Sequence, residues 1–256
     1  MNALAGRRRT WLGLLVPAVL AFAVLIALGT WQIERKAWKE QLIADLTERL
    51  AAPPVALPVA SSWPGLDRAS DEYRRVKFSA EFDNAKEALI YGAASPFRPD
   101  ISGPGYWVFT PARLGDGSFV MVNRGFVPQG REDPRTRPEG EITRSVEITG
   151  AMRWSDTRHW FTPRDDPAHN LWFARDPARI AGAKGLAGAA PFYIEQEAPV
   201  PRGGLPRPGK LVVDLPNNHL QYAVTWYGIA AVLLVVFVVW ARSAAASQGL
   251  GFRSGF

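Results

Sequence analysis

The sequence predicts an α+β membrane protein, with two transmembrane helices flanking a mainly antiparallel β-sheet or open-barrel extracytoplasmic domain with one or two helices. Three observations carry this. Trp11 to Trp31 and Ala223 to Trp240 are charge-free runs of 21 and 18 residues. At about 1.5 Å per residue, each comes close to the roughly 30 Å of a hydrocarbon core. Between them, short segments alternate apolar and polar residues with no regular βα succession.

The third observation is where the charge sits. The net charge is +6, and five of those charges are Arg7, Arg8, Arg9, Arg242 and Arg253, which leaves +1 for residues 32–221. Arginines gathered outside the apolar runs are a topological signal and not a nucleic-acid footprint. By the positive-inside rule, residues 1–10 and 241–256 are cytoplasmic tails and the central domain is periplasmic. The absence of cysteine excludes disulfides, thiolate metal sites, covalent c-type haem attachment and CxxC redox chemistry.

Residues 11–31 form the first transmembrane helix, interrupted only by Pro17 and bracketed by Trp11 and Trp31. A basic stretch before an apolar one also fits a signal peptide, but this run exceeds the usual h-region, and Ala21-Phe22-Ala23 lies inside it, so an uncleaved anchor is expected. Residues 32–52 continue as an amphipathic stalk helix, with Trp38, Leu42, Leu46 and Leu50 on one stripe, ended by Pro53-Pro54. Residues 53–216 form the β-rich domain. In Val76–Phe82 alternate residues are apolar, the mark of a half-buried strand. Further strands are expected at 87–91, 106–110, 119–127, 146–150, 171–174, 192–195 and 211–215. Leu114-Gly115-Asp116-Gly117 supplies a hairpin turn. Gln129–Glu141 reads as a charged loop, Pro201–Gly209 as a linker, and Asp176–Lys184 as the one helix, with Pro177 at its start and Gly185 after it. Residues 217–240 form the second transmembrane helix.

No enzymatic motif stands out: there is no GxSxG, Walker-type loop or HExxH, so an enzyme is not expected. His159 and His169 read as loop histidines, and Asp165-Asp166-Pro167 as a turn. Copper delivery is disfavoured, because three methionines and no cysteine make a poor set for soft Cu(I). His219 stands apart. With Tyr222, Ala223 and Trp226 it falls at i, i+3, i+4 and i+7, one face of a helix starting near Asn218. Ala223 and Gly228 are small enough for close approach, and Trp31 and Gln32 of the first helix lie at the same depth. From spacing alone His219 is either a wet interfacial cap, the simpler reading, or a ligand offering one imidazole nitrogen to iron between aromatic walls.

Several motifs occur together in order: GTWQIERK (29–36), GYWVFTP (105–111), VNRGFVP (122–128), PRDDPAHNLWFARD (163–176) and NNHLQYAVTWYG (217–228). With the two-helix layout, they resemble the Surfeit-locus (SURF/SHY-type) family of cytochrome c oxidase assembly factors. The resemblance implies an inner-membrane chaperone of haem–copper oxidase biogenesis. Its cofactor would be haem a, transiently bound, with His219 as iron ligand; helix spacing and depth, and not the resemblance, put Tyr222, Trp226, Trp31 and Gln32 around it. It also implies the oxidase catalytic subunit, haem a synthase and the lipid bilayer as partners, with no nucleic acid. A cofactor-free scaffold that holds an assembly intermediate is the alternative. Gly105 and the Arg124-Gly125 pair are expected to be structural.

Overall fold

The computed structural model describes residues 2–92, 98, 100–213 and 215–250, and of residues 2–12, 14 and 245–250 the backbone only. Arg7, Arg8, Arg9 and Trp11 therefore lie outside the described side chains, and Arg253 outside the described residues. The chain divides into two units, Met1–Ile43 with Pro216–Phe256, and Ala44–Leu215.

Helix α1 runs unbroken from Asn2 to Ala51. Tail, apolar run and stalk are thus one helix, which Pro17 interrupts only by the loss of a single backbone donor. Its last turns belong to the second unit, where Leu46 and Leu50 are buried and Arg49 donates to the carbonyls of Ala69 and Glu72 at 2.9 and 3.2 Å. The expected stripe does not extend back to Trp38, which is 52% exposed under the Arg35 guanidinium, 4.3 Å from the ring centroid. Residues four apart drift about 40° on a 3.6-residue helix, so Trp38 and Leu50 point about 120° apart.

The second unit is built on one mixed sheet of strands β1 (Val55–Ala56), β2 (Arg75–Phe82), β3 (Ala88–Gly92), β4 (Gly105–Arg113), β5 (Phe119–Pro128), β6 (Val146–Arg153), β7 (Leu171–Trp172) and β8 (Ala189–Ala198), with the short helices α2 (Arg68–Asp71) and α3 (Pro177–Ala183). The order is β1-β2-β6-β8-β5-β4-β3-β7. The pairs β1–β2, β3–β7 and β5–β8 are parallel, and the rest antiparallel. Strand β2 also meets β4, but only at Glu81–Arg113 and Phe82–Ala112. A two-residue corner curls the sheet without giving it the long seam of a barrel, so the open-barrel expectation gives way to a curled mixed sheet. The predicted hairpin joins β4 to β5, with Gly117 at φ +84° and its N–H on the Leu114 carbonyl at 3.0 Å.

Both faces of the central strands are buried, because alternation feeds two cores. Val120, Val122, Phe192 and Ile194 join Trp63, Val76 and Ile148 in one core. Met121 and Tyr193, between them in sequence, join Trp107, Phe109 and Trp172 in the other. Two expected elements differ. Residues 211–215 form no strand among the described residues; Leu211 is buried without a ladder partner, so the apolar pattern there records packing alone. Pro201–Gly209 is more than a linker, since Phe126 and Arg207 exchange backbone hydrogen bonds of 3.0 and 2.8 Å.

That contact explains the VNRG motif. Gly125 sits at φ +119°, and a Cβ there would lie 2.0 Å from the Arg207 carbonyl oxygen. Gly105 is equally constrained, at 2.3 Å from the Val127 carbonyl oxygen. Buried Asn123 donates to both carboxylate oxygens of buried Glu195 at 2.9 Å and accepts the Gly125 N–H at 3.1 Å. Arg124 is buried, with its guanidinium 4.4 Å from the Phe82 ring centroid and donating to Asn84 Oδ1 at 3.1 Å. Burial brings its pKa down to about 10, which leaves it charged at neutral pH. The charged loop 129–141 is likewise anchored, because Arg137 is buried in an ion pair with buried Glu87.

Two outcomes follow. Gly125→Ala combines a positive φ with a backbone clash and is expected to cost roughly 3 kcal/mol or more in chemical denaturation. Burial, acting against the Arg137 ion pair, raises the Glu87 carboxyl above its ordinary 4.5. The folded state then holds a proton that the unfolded chain releases, so this group's contribution to stability is full below 4.5 and is lost as pH rises through the raised value. Urea melts across the acid-to-neutral range should show that slope flattened in Glu87→Gln.

Candidate functional site

Helix α4 spans His219–Leu250, and its first hydrogen bond runs from the Tyr222 N–H to the Asn218 carbonyl at 3.2 Å. Asn218 thus stands at the N-cap, a position that favours asparagine, and His219 opens the helix. The segments Leu15–Ala51 of α1 and His219–Ala244 of α4 are both long and apolar enough to cross a membrane.

Within this unit the two helices meet along a narrow seam. Gly29, Ala223 and Ala230 are buried in it. A Cβ on Gly29 would stand 2.6 Å from the Tyr227 ring, so the aromatic ring fits only where α1 has no side chain. The Thr30 hydroxyl donates to the Ile26 carbonyl at 3.0 Å. Its oxygen therefore accepts from the Tyr227 hydroxyl at 3.1 Å. One turn further along, Gln32 is buried, and its Oε1 lies 2.7 Å from His219 Nδ1. An amide oxygen can only accept, so Nδ1 donates, and the tautomer that does so leaves Nε2 with its lone pair. Near the head of the same helix, Asn217 Oδ1 is buried without a hydrogen-bond partner among the described residues.

The residues expected around His219 are thus only partly gathered. Gln32 meets the imidazole directly. Trp31 is 50% exposed and Tyr222 is 55% exposed, since each neighbours a seam residue and is turned about 100° away from it. Trp226 is half-buried. Ala223 lies in the seam, but Gly228 faces open space, with nothing within 4 Å of an added Cβ. The close approach is made at Gly29 instead. Tyr227 is the residue that the sequence reading passed over, and a glycine one turn from Gln32 in an apolar helix was the signal for a bulky partner opposite.

Elsewhere the polar residues of the motifs are structural. Asp165 is 1% exposed at its side chain and pairs with Arg158 at 2.9 Å and Arg179 at 3.0 Å. It also accepts the Phe173 N–H at 2.9 Å. Asp166 takes His169 Nδ1–H at 2.7 Å, which holds the Asp166 carboxyl below its usual range. Asp176 caps α3 through the Arg179 N–H. Among the described residues no group of three His, Cys, Asp or Glu side chains could hold a metal ion.

Residues 19–231 match the SURF1 family model. The chain belongs to the SURF1 family. It is 38% identical over 234 residues to Surfeit locus protein 1 of Homo sapiens, a match covering 86% of this chain and 73% of that one. It is 39% identical over 235 residues to a SURF1-like protein of Drosophila melanogaster, with the same two coverages. A SURF1-like protein of Monosiga brevicollis is 36% identical over 248 residues, or 94% of this chain and 90% of that one. The family match takes in the whole sheet and the parts of α1 and α4 that form the seam.

The seam geometry makes one spectroscopic expectation. In the folded protein His219 should show the Nδ1–H tautomer in its ¹⁵N shifts, and Gln32→Leu should release that preference. An unchanged tautomer in the variant would remove Gln32 from the site.

Proposed function

We propose that this member of the SURF1 family is an inner-membrane assembly factor for a haem–copper terminal oxidase, which holds haem a at His219 and passes it to the catalytic subunit. In this reading both termini are cytoplasmic and the sheet unit is periplasmic. The assembly role rests on membership of the SURF1 family and on the resemblance of the chain's motifs to the Surfeit-locus assembly factors. The observation that carries the cofactor is the Gln32–His219 hydrogen bond, which engages Nδ1 and leaves Nε2 as the ligating nitrogen, as the outer hydrogen-bond partners of ligating histidines do. The residues present fit one iron-ligating nitrogen: His219 would hold the group through Nε2, with half-buried Trp226 and exposed Tyr222 on the same helix face as its apolar contacts. When bound, the haem would supply a redox-active iron, and a hold through His219 would suit transient carriage better than electron transfer. His219 binds, Gln32 orients, and haem a synthase is the class of enzyme that would supply the group.

The test is the purified protein made in cells that synthesise haem a. His219→Ala is expected to lose most of the Soret absorbance and haem content while retaining the fold. Equal haem in wild type and variant would sink the ligand assignment. Normal oxidase assembly with His219→Ala, together with its loss on disrupting the sheet unit, would favour a cofactor-free scaffold instead.

A further inference from the structure

The segment between β6 and β7 carries two strongly exposed aromatic rings at one tip. Trp160 is 96% exposed and Phe161 is 66% exposed. The tip is braced. The His159 ring stacks on Phe161 with centroids 5.3 Å apart, and Trp160 meets Phe161 edge-on at 5.6 Å. The His159 N–H donates to Thr162 Oγ1 at 3.0 Å, and the Thr162 N–H returns to the His159 carbonyl at 3.0 Å. Behind the tip, buried Asp165 ties Arg158 to Arg179 of α3. A rigid pair of apolar rings held out from a surface marks something that covers it.

The chemistry of the tip favours a lipid surface as its occupant. Of the two arginines in residues 157–164, Arg158 is taken up by Asp165, and exposed Arg164 is left to meet anionic headgroups. Tryptophan, an apolar ring with one N–H, concentrates at the boundary between headgroups and acyl chains. Both ends of this unit's chain lead into the helices read as membrane-spanning, α1 and α4, so any lipid-seeking loop on it works at high effective concentration. We propose that the Thr157–Arg164 tip is a membrane-interface anchor: Trp160 and Phe161 enter the headgroup layer and Arg164 faces the phosphates. The anchor rests on the membrane-spanning reading of α1 and α4.

The chain has no cysteine, so single nitroxide labels can be placed in the full-length protein, reconstituted in nanodiscs of zwitterionic and anionic phospholipid. Labels go at Phe161→Cys, at Val232→Cys in the middle of α4, and at Gly115→Cys on the β4–β5 hairpin. The expected result is that oxygen reaches the labels at 161 and 232 more readily than a water-soluble nickel chelate does, with the order reversed at 115. A label at Thr157→Cys, which keeps both rings, should shift toward water when Trp160→Asp is added. If position 232 reports lipid and position 161 behaves like 115, the anchor is overturned and the spanning helices stand. If position 232 reports water, the membrane-spanning reading falls and the anchor with it. An immobilised label at 161 without oxygen enrichment overturns the lipid assignment in favour of a protein surface.

Discussion

The missing side chain at Gly29 is the constraint on which the helix seam depends. Tyr227 fills the space that a Cβ would occupy, and that fit brings α1 and α4 close enough for two side-chain hydrogen bonds between them, Thr30 with Tyr227 and Gln32 with His219. Set in lipid, two such helices would gain little hydrophobic energy from pairing, and close packing with these hydrogen bonds would carry the association. The seam therefore holds the helices together and sets the tautomer of His219 through the same few residues.

The sheet unit solves a different problem, that of burying charged and amide groups in a small β-rich fold. Asn123, Arg124, Glu195, Glu87 and Arg137 are all buried, and each has partners supplied by segments distant in sequence. Losing one member would leave its partner uncompensated in a low-dielectric interior, at a cost of about 3–5 kcal/mol for a charge. The short motifs along the chain are the visible ends of these networks. VNRG places an amide, a guanidinium and a glycine on β5, where the strand meets β4 along one edge and, along the other, first β8 and then the Arg207 segment.

Much of this was legible from local pattern. Period-two alternation marked β2, and the Gly117 turn marked the β4–β5 hairpin, because both signals lie within a few residues. The cap at Asp176 and the start of α4 at Asn218 follow from single residue types at helix ends. The stripe through Trp38 misled, since a spacing of four does not keep to one face over three repeats. The strand expected at 211–215 misled for another reason: alternation reports which side chains are buried, and says nothing of whether a neighbouring strand is there to accept the backbone.

The sequence by itself determined the two long apolar helices, most of the strands and the candidacy of His219, because these depend on residue type and near-neighbour spacing. Only the tertiary structure decided that β5 pairs in parallel with β8, that Arg207 closes over Gly125, and that Gln32 and not Trp31 meets the imidazole. Each of these joins residues many positions apart, and His219 and Gln32 stand 187 apart. Which face of a helix meets which partner is set by packing around the smallest residue in the seam, and that cannot be read from either helix alone.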